Sequence, residues 1–103
     1  MTGAQLQAAI IEAAHVLGWR VAHFRPARTN KGWRTPVSAD GKGFPDLVLV
    51  RPGRVVFAEV KGDGDRPRPE QKAWLDALVG AGAEAHLWTP AAWTSGDVER
   101  VLR

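Results

Sequence analysis

Two short β-branched runs joined by Pro52 and Gly53 constrain the fold of this chain more than any other feature. Residues 47–50 and 55–58 have the composition and length of strands, and Pro-Gly suits positions i+1 and i+2 of a type II turn. A two-residue turn would place Asp46, before the first run, directly opposite Glu59, after the second. The sequence therefore predicts a β-hairpin with a pair of carboxylates at its open end.

Alternation of side chains along a strand puts Asp46, Glu59 and Lys61 on one face of this hairpin and Val60 on the other. Two carboxylates directly opposite each other repel. Pairing them across otherwise apolar strands indicates a divalent cation between them, and oxygen ligands suit Mg²⁺ or Mn²⁺. Lys61 would then lie at the edge of the cation, near the phosphate or water that the cation binds.

Each of these residues also has a structural interpretation. Asp46 can be a turn former after proline, Glu59 a solvent-facing strand residue, and Lys61 the partner of Glu59 in a surface ion pair worth about 0.2–1 kcal/mol. Taken singly, the structural interpretations are favoured. The metal site is favoured once all three share one face among apolar neighbours.

The composition predicts one cytoplasmic domain spanning residues 1–103. A hydrophobic fraction of 45% with five tryptophans is enough for a core. The lack of cysteine excludes disulfides and thiolate sites, so a metal must use carboxylate, carbonyl, imidazole or water ligands. Neither a signal segment nor an apolar stretch near the roughly 20 residues of a membrane span is recognisable, so we expect a soluble, unexported protein with no membrane partner.

The positive charge is concentrated between Arg20 and Lys42, where Asp40 is the one acid. Such a segment favours a polyanion such as nucleic acid, and the alternative is a solvated loop. Trp33, between two cations, is suited to stacking on a base or sugar, although it can equally pack onto the domain. The candidate DNA-binding residues are Arg25, Arg28, Lys31, Trp33, Arg34 and Lys42.

Helical and strand patterns predict the element order α-β-β-β-α-β-α. Thr2 and Gln5 form a capping box before an apolar helical stripe that Gly18 ends. Residues 19–24 and 85–88 have strand character, residues 27–44 form a long loop or a ragged hairpin, and a second helix spans about 69–79. The fold class is α/β, with a central mixed sheet flanked by helices and the last strand parallel to the Glu59 strand.

Three segments in this order resemble the VRR-NUC domain family of the PD-(D/E)XK nuclease superfamily, whose fold is restriction-endonuclease-like. They are Gly43-Phe44-Pro45-Asp46-Leu47, Phe57-Ala58-Glu59-Val60-Lys61 and Gln71-Lys72-Ala73-Trp74-Leu75. Each is weak alone, but the three occur in order on the expected elements, and the resemblance extends over nearly the whole chain, from the helix containing Glu12 to the strand ending at Trp88. The resemblance implies a single VRR-NUC-like nuclease domain that hydrolyses DNA phosphodiesters with Mg²⁺ or Mn²⁺ and needs no organic cofactor.

The resemblance also implies roles for individual residues. Asp46, Glu59 and the Val60 carbonyl would bind the metal, and Lys61 would stabilise charge on the phosphate or position the water. Glu12 would complete the metal shell if it matches the first-helix glutamate of the fold, and otherwise it is an exposed acid. Gln71 lies on the apolar stripe of the second helix and needs a partner, which is a water or phosphate of the active site or a backbone cap.

Three functions compete at this point. The first is a metal-dependent endonuclease, acting as a homodimer on branched DNA such as four-way junctions in a bacterial cell or phage-infected host, as the resemblance implies. The second is a non-catalytic DNA-binding module that retains the nuclease fold. The third is a homodimeric assembly partner in which the acidic pair is structural. The intact set of Asp46, Glu59 and Lys61 favours the endonuclease.

Overall fold

The computed structural model describes residues 1–24, 27–30, 32–34 and 37–103, with residues 27–29, 33 and 34 described by their backbone alone. Among the described residues, no helix is both long and apolar enough to cross a membrane. The elements are α1 (Gly3–Val16), β1 (Arg20–His23), β2 (Ala27–Thr29), β3 (Gly32–Arg34), β4 (Leu47–Arg51), β5 (Arg54–Val60), α2 (Pro69–Gly80), β6 (Glu84–Trp88), α3 (Pro90–Thr94) and α4 (Asp97–Leu102).

The main sheet has four strands in the order β1-β4-β5-β6. The β1–β4 and β4–β5 pairs are antiparallel and the β5–β6 pair is parallel, so the predicted mixed sheet is confirmed. The parallel pair follows from α2, whose crossover returns the chain to the same end of the sheet.

The β4–β5 hairpin has the predicted register. Leu47 pairs with Ala58 and Arg51 with Arg54, which leaves Pro52 and Gly53 as a two-residue turn. Gly53 has φ +80°, as the third position of a type II turn requires. Continuing the register by one residue places Asp46 opposite Glu59.

The element order differs from the expected one in two places. Residues 27–29 and 32–34 form a separate two-stranded antiparallel sheet, β2–β3, whereas residues 37–44 form neither helix nor strand. The hairpin alternative therefore holds for the first part of residues 27–44 and the loop alternative for the last. The expected single terminal helix is two short helices. Thr89 accepts a hydrogen bond from Ala92 N and starts α3, and Gly96, at φ +86°, separates α3 from α4.

The core lies between the sheet and α1, with α3 and α4 on the same side. Thr2 and Gln5 form the predicted capping box at the start of α1. The buried apolar residues are Leu6, Ile10, Ala14, Trp19, Leu47, Leu49, Val56, Ala58, Val60, Trp88, Val98 and Leu102. Helix α2 covers the opposite face, where Phe57 and Glu59 of β5 point, so the molecule has three layers.

The turn end of the hairpin is tied to the last turn of α4. The Trp19 indole N–H donates to Leu102 O (2.8 Å), Arg54 Nη1 donates to Val101 O (2.9 Å) and Arg51 Nη2 donates to Arg103 O (2.7 Å). The Arg51 and Arg54 guanidinium carbons lie 4.4 and 5.1 Å from the centre of the Trp19 ring. One indole N–H and two guanidiniums therefore satisfy carbonyls that the helix end leaves unpaired.

Candidate active site

A cleft of about 1200 Å³ opens at the other end of the hairpin, where β4 begins and β5 ends. Its walls come from five parts of the chain: the start of α1, Phe24 after β1, residues 37–46, the end of β5 with Lys61, and the start of α2. Its polar lining residues include Gln7, Lys42, Asp46, Glu59, Lys61, Arg68, Glu70 and Gln71. The cleft therefore contains all four of the expected catalytic residues.

Glu59 lies at the floor of this cleft and is 1% exposed. Its Oε1 accepts a hydrogen bond from Gln71 Nε2 (3.1 Å), while Oε2 is buried and receives no hydrogen bond from any described residue. Burial, and then hydrogen bonding and charge repulsion with Asp46, raise the pKa of Glu59 to about 8. When Glu59 is protonated, its carboxyl O–H can donate to Asp46, and the pair then carries one negative charge instead of two.

Asp46 follows Pro45 at the point where β4 begins. Its Oδ2 accepts a hydrogen bond from the Val60 backbone N–H (3.0 Å), which ties the two strands together one position beyond the regular ladder. Val60 is thus engaged through its N–H, and it also contributes to the cleft wall. The hydrogen bond holds the Asp46 carboxylate beside Glu59.

The Lys61 ammonium lies 4.0 Å from Glu59 Oε1, and its side chain is largely buried. It lowers the pKa of Glu59, although burial and the Asp46 carboxylate outweigh that effect. The backbone of Lys61 is fixed as well, since its N–H donates to Trp88 O (3.0 Å). Lys61 therefore has the position at the edge of the carboxylate pair that the strand alternation predicts.

Gln71 connects the start of α2 to the carboxylates. Its Oε1 accepts a hydrogen bond from Arg68 N (2.8 Å), and its Nε2 donates to Glu59. Of the two partners expected for this buried amide, the structure has the backbone cap, through Oε1. The amide nitrogen, Nε2, contacts the site through Glu59. The amide fixes one carboxylate oxygen without adding charge to the cleft.

The segment before Asp46 is anchored to α2 by aromatic contacts. Phe44 lies edge-to-face against Phe24, Phe57 and Trp74, with ring centres 5.7, 6.1 and 5.1 Å apart. The Trp74 indole N–H donates to Asp40 O (2.9 Å). Such contacts add about 0.5–1.5 kcal/mol per ring pair to area burial, so this anchor holds the approach to Asp46 against the helix that carries Gln71.

Two backbone contacts fix the chain around Asp46. The Phe24 N–H donates to Asp46 O (3.0 Å), so β1 continues alongside the start of β4. Gly43 has φ +85°, and a Cβ built on it would lie 2.6 Å from the backbone carbon of Glu70. Glycine is required at position 43 because the chain is left-handed there and touches the first turn of α2.

The carboxylate pair fits a hard divalent cation. Mg²⁺ is commonly bound through one or two carboxylates, with waters and substrate phosphates completing its shell. A buried carboxylate oxygen that receives no hydrogen bond from the described residues, beside a second carboxylate, is the donor set that such a cation would use. Among the described residues no group of three His, Cys, Asp or Glu side chains is arranged to hold a metal, so Asp46 and Glu59 would be the side-chain ligands.

The structure does not bring Glu12 into this group. Glu12 is exposed and lies outside the cleft, whereas Gly3, Ala4 and Gln7 of α1 line it. Glu12 is five positions after Gln7 in the helix, which is about 7.5 Å along the axis. Only the start of α1 reaches the site, because it packs against Gly62, where a Cβ would lie 2.4 Å from Gly3 N.

The candidate DNA-binding residues fall into three groups. Arg25 and Lys31 lie outside the described residues. The backbone of Arg28, on β2, pairs with that of Trp33, on β3, beside Arg34, while the side chains of these three are outside the description. Lys42 is described, and it lies at the rim of the cleft.

Arg68, Glu70 and Gln7 are cleft residues that the sequence analysis did not single out. Arg68 and Glu70 flank Pro69 at the start of a helix that carries Gln71, and that proximity in sequence was the available signal. Gln7 gave no such signal, because its position depends on the packing of α1 against Gly62.

A buried glutamate beside a half-buried aspartate and a lysine, at a cleft lined by cations, is an arrangement suited to hydrolysis of a phosphodiester. The chain belongs to the VRR-NUC domain family, whose model matches residues 6–90. This nuclease family generally uses divalent metal ions.

Two curated relatives match part of the chain. Residues of this chain are 44% identical over 55 residues to a Fanconi-associated nuclease 1 homolog of Caenorhabditis elegans, a match that covers 52% of this chain and 6% of that protein. They are 43% identical over 47 residues to a Fanconi-associated nuclease 1 homolog of Caenorhabditis briggsae, covering 44% of this chain and 5% of the relative. The chain thus corresponds to a small part of either relative.

Proposed function

We propose that this chain is a metal-dependent DNA endonuclease of the PD-(D/E)XK class that hydrolyses phosphodiester bonds in the cleft. The observation that carries the proposal is the buried Glu59, which has a raised pKa, an oxygen that receives no hydrogen bond from the described residues, and Asp46 and Lys61 beside it. Membership in the VRR-NUC family and the relatives' names as nucleases support the same activity.

Asp46 and Glu59 would hold the cation, with the Val60 carbonyl as a further oxygen ligand. A bound Mg²⁺ or Mn²⁺ would polarise the scissile phosphate and lower the pKa of a water nucleophile. To act as a ligand, Glu59 must give up the proton that its raised pKa retains. Gln71 holds the Glu59 carboxylate in one orientation through Nε2 and is therefore a positioning residue.

Lys61 would bind the phosphate directly. Its ammonium is largely buried beside Glu59, so its charge is little screened and acts on the negative charge that develops during hydrolysis. A preorganised donor of this kind contributes about 10²–10³ in rate. The cations at the rim and in the segment of residues 20–42 would hold the flanking DNA through its phosphates.

We propose branched DNA, such as four-way junctions, as the substrate and a homodimer as the active form. A domain of this size offers little surface for a branched duplex, and one cleft cuts one strand. Val50 and Val55 pair across β4 and β5 and are both exposed, which gives the sheet an apolar patch for a second copy. The proposed setting is the cytoplasm of a bacterial cell or phage-infected host.

The test is cleavage of labelled linear, flapped and four-way-junction DNA with Mg²⁺, Mn²⁺ or EDTA. We expect metal-dependent cutting by the wild type and a loss of at least about 10²-fold in Asp46→Asn and Lys61→Ala. Asp97→Asn and Lys72→Ala are the matched controls, because both residues are exposed and lie outside the cleft.

Different results would favour different functions. Wild-type activity in Asp46→Asn would remove this site from the mechanism. Tight DNA binding without cutting in any metal would favour the non-catalytic binding module, and neither binding nor cutting would favour the structural partner. Measurement of the molecular mass in solution would test the homodimer.

A further inference from the structure

Two cations at the rim of the cleft share one carboxylate oxygen. Glu70 Oε1 lies 3.2 Å from Arg68 Nε and 3.7 Å from Lys42 Nζ. The Lys42 and Arg68 side chains are 80% and 62% exposed, whereas that of Glu70 is 29% exposed. The Glu70 carboxylate is thus less exposed than the two cations that it pairs with, and both cations remain accessible to solvent.

The position of Glu70 is fixed more firmly than that of an ordinary surface acid. Its backbone packs against Gly43, and the next residue, Gln71, is buried and bonded to Glu59. Hydrogen bonding to its own backbone N–H, followed by the charges of Lys42 and Arg68, lowers the pKa of Glu70, so the group is ionised at neutral pH. A full negative charge therefore occupies a defined place on the rim.

A phosphate oxygen can occupy the same place. Guanidinium and ammonium groups bind carboxylate and phosphate oxygens by the same charge-assisted hydrogen bonds. An exposed ion pair gains at most about 1 kcal/mol from its own attraction, so a stronger anion can replace the carboxylate at little cost. Lys42, Arg68 and Glu70 line the same cleft as Asp46 and Glu59, which places this anion position beside the reacting phosphate.

We propose that Lys42 and Arg68 form a second phosphate site, for a DNA phosphodiester next to the scissile one, and that the Glu70 carboxylate occupies it in the free protein. This inference rests on the proposed DNA nuclease function and adds a subsite to it. The ligand is a DNA strand that continues past the cleavage position, because the site binds a phosphate next to the scissile phosphate. Glu70 competes with that phosphate and weakens binding.

The experiment is a fluorescence titration of a labelled DNA duplex in EDTA, where no metal supports cutting, at several salt concentrations. Glu70→Gln keeps the size and hydrogen-bonding ability of the side chain but removes its charge. Glu99→Gln is the matched control, because Glu99 is exposed, is paired with Arg103 and lies on α4 outside the cleft. Both variants raise the net charge by the same amount.

We expect Glu70→Gln to bind the duplex about 2- to 5-fold more tightly than Glu99→Gln does. Arg68→Gln and Lys42→Gln should each weaken binding and reduce the slope of log K against log salt by about 1. In the double variant Glu70→Gln/Arg68→Gln, the gain from removing Glu70 should shrink, because one of its two cations is gone. Thermal melting of each variant checks that it is folded.

Equal affinities for Glu70→Gln and Glu99→Gln would overturn this inference and leave the proposed nuclease intact. A gain that persists in full in the double variant would also overturn it, since it would reflect general charge. Failure of the wild type to bind DNA at any salt concentration, in EDTA or with Mg²⁺, would overturn both the subsite and the proposed function.

Discussion

The two ends of the β4–β5 hairpin bury charge in opposite ways. At the turn end, the Arg51 and Arg54 guanidiniums lie over Trp19 and donate to carbonyls of the last turn of α4, and Arg54 also pairs with Glu84. At the open end, Glu59 is buried with one oxygen that receives no hydrogen bond from the described residues.

This difference indicates that the turn end of the hairpin stabilises the fold, whereas the open end is suited to binding a ligand. Charges with satisfied donors stabilise a fold, whereas a buried and incompletely paired carboxylate costs free energy that the rest of the fold must supply. A ligand that binds the open end can recover that free energy, which is why the two ends should respond differently to pH, metal and mutation.

The largest expected effect is a loss of metal-free stability as the pH rises. The folded protein keeps the proton on Glu59 up to its pKa of about 8, while the unfolded chain loses it near the ordinary value of 4.5. Between those values the unfolded state binds fewer protons, so the free energy of unfolding falls with rising pH, by an amount of order several kcal/mol. Thermal melting in EDTA from pH 4 to pH 9 measures this fall.

Glu59→Gln should remove most of that pH dependence and raise the melting temperature at pH 9. Glu84→Gln, at the turn end, should keep the wild-type slope, because Glu84 is half-exposed and paired with Arg54. Mg²⁺ at millimolar concentration above pH 8 should stabilise the wild type but not Glu59→Gln. A wild-type profile as flat as that of Glu59→Gln would show that Glu59 is not held protonated.

The second comparison is between the indole N–H hydrogen bonds of Trp19 and Trp74, with an expected effect on stability of about 1–3 kcal/mol. Trp19→Phe should lower the free energy of unfolding by that amount, because it leaves Leu102 O buried without its donor, and should leave cleavage by the folded protein unchanged. Trp74→Phe should cost less stability, since its bond to Asp40 O is exposed, but should raise the Mg²⁺ concentration needed for half-maximal cleavage. Denaturant melts and metal titrations of cleavage separate the two. An unchanged metal requirement in Trp74→Phe would show that its indole N–H does not position Asp46.

The last comparison, with the smallest expected effects, is between two glycines that have nearly the same backbone conformation. Gly43 and Gly53 have φ +85° and +80°, so the left-handed backbone alone costs alanine about 1 kcal/mol at either position. Nothing lies within 4 Å of a Cβ at Gly53, but one at Gly43 meets the Glu70 backbone. Gly53→Ala should therefore affect melting alone, and Gly43→Ala should also reduce cleavage. Equal cleavage by the two variants would contradict the tight approach of Gly43 to α2.

The sequence predicted features that depend on local geometry. The register that places Asp46 opposite Glu59 follows from a two-residue turn, and the cap at Thr2 and the span of α2 follow from residues adjacent in the chain. Position 71 could be recognised as a buried amide in need of a partner because it interrupts an apolar helical stripe.

Features that depend on distant packing could not be predicted. Helical spacing placed Glu12 beside the buried stripe of α1, but which turn of α1 meets the cleft is decided by the contact of its start with Gly62. The ion pair between Lys42 and Glu70, beside the one from Arg68, likewise requires the segment before Asp46 to lie on α2. The contact between Phe44 and Trp74 produces that arrangement.

The hydrogen bond from Phe24 N to Asp46 O has a consequence for how this scaffold can vary. It joins two residues that are far apart in sequence, and the edge-to-face contact of Phe24 with Phe44 reinforces the junction. The separate β2–β3 hairpin thus lies within the loop that this junction closes. Because doubling the length of a closed loop costs only about 0.6 kcal/mol, segments of very different length could be exchanged there without displacing the carboxylates. The domain therefore offers an insertion point for new recognition elements next to an unchanged centre.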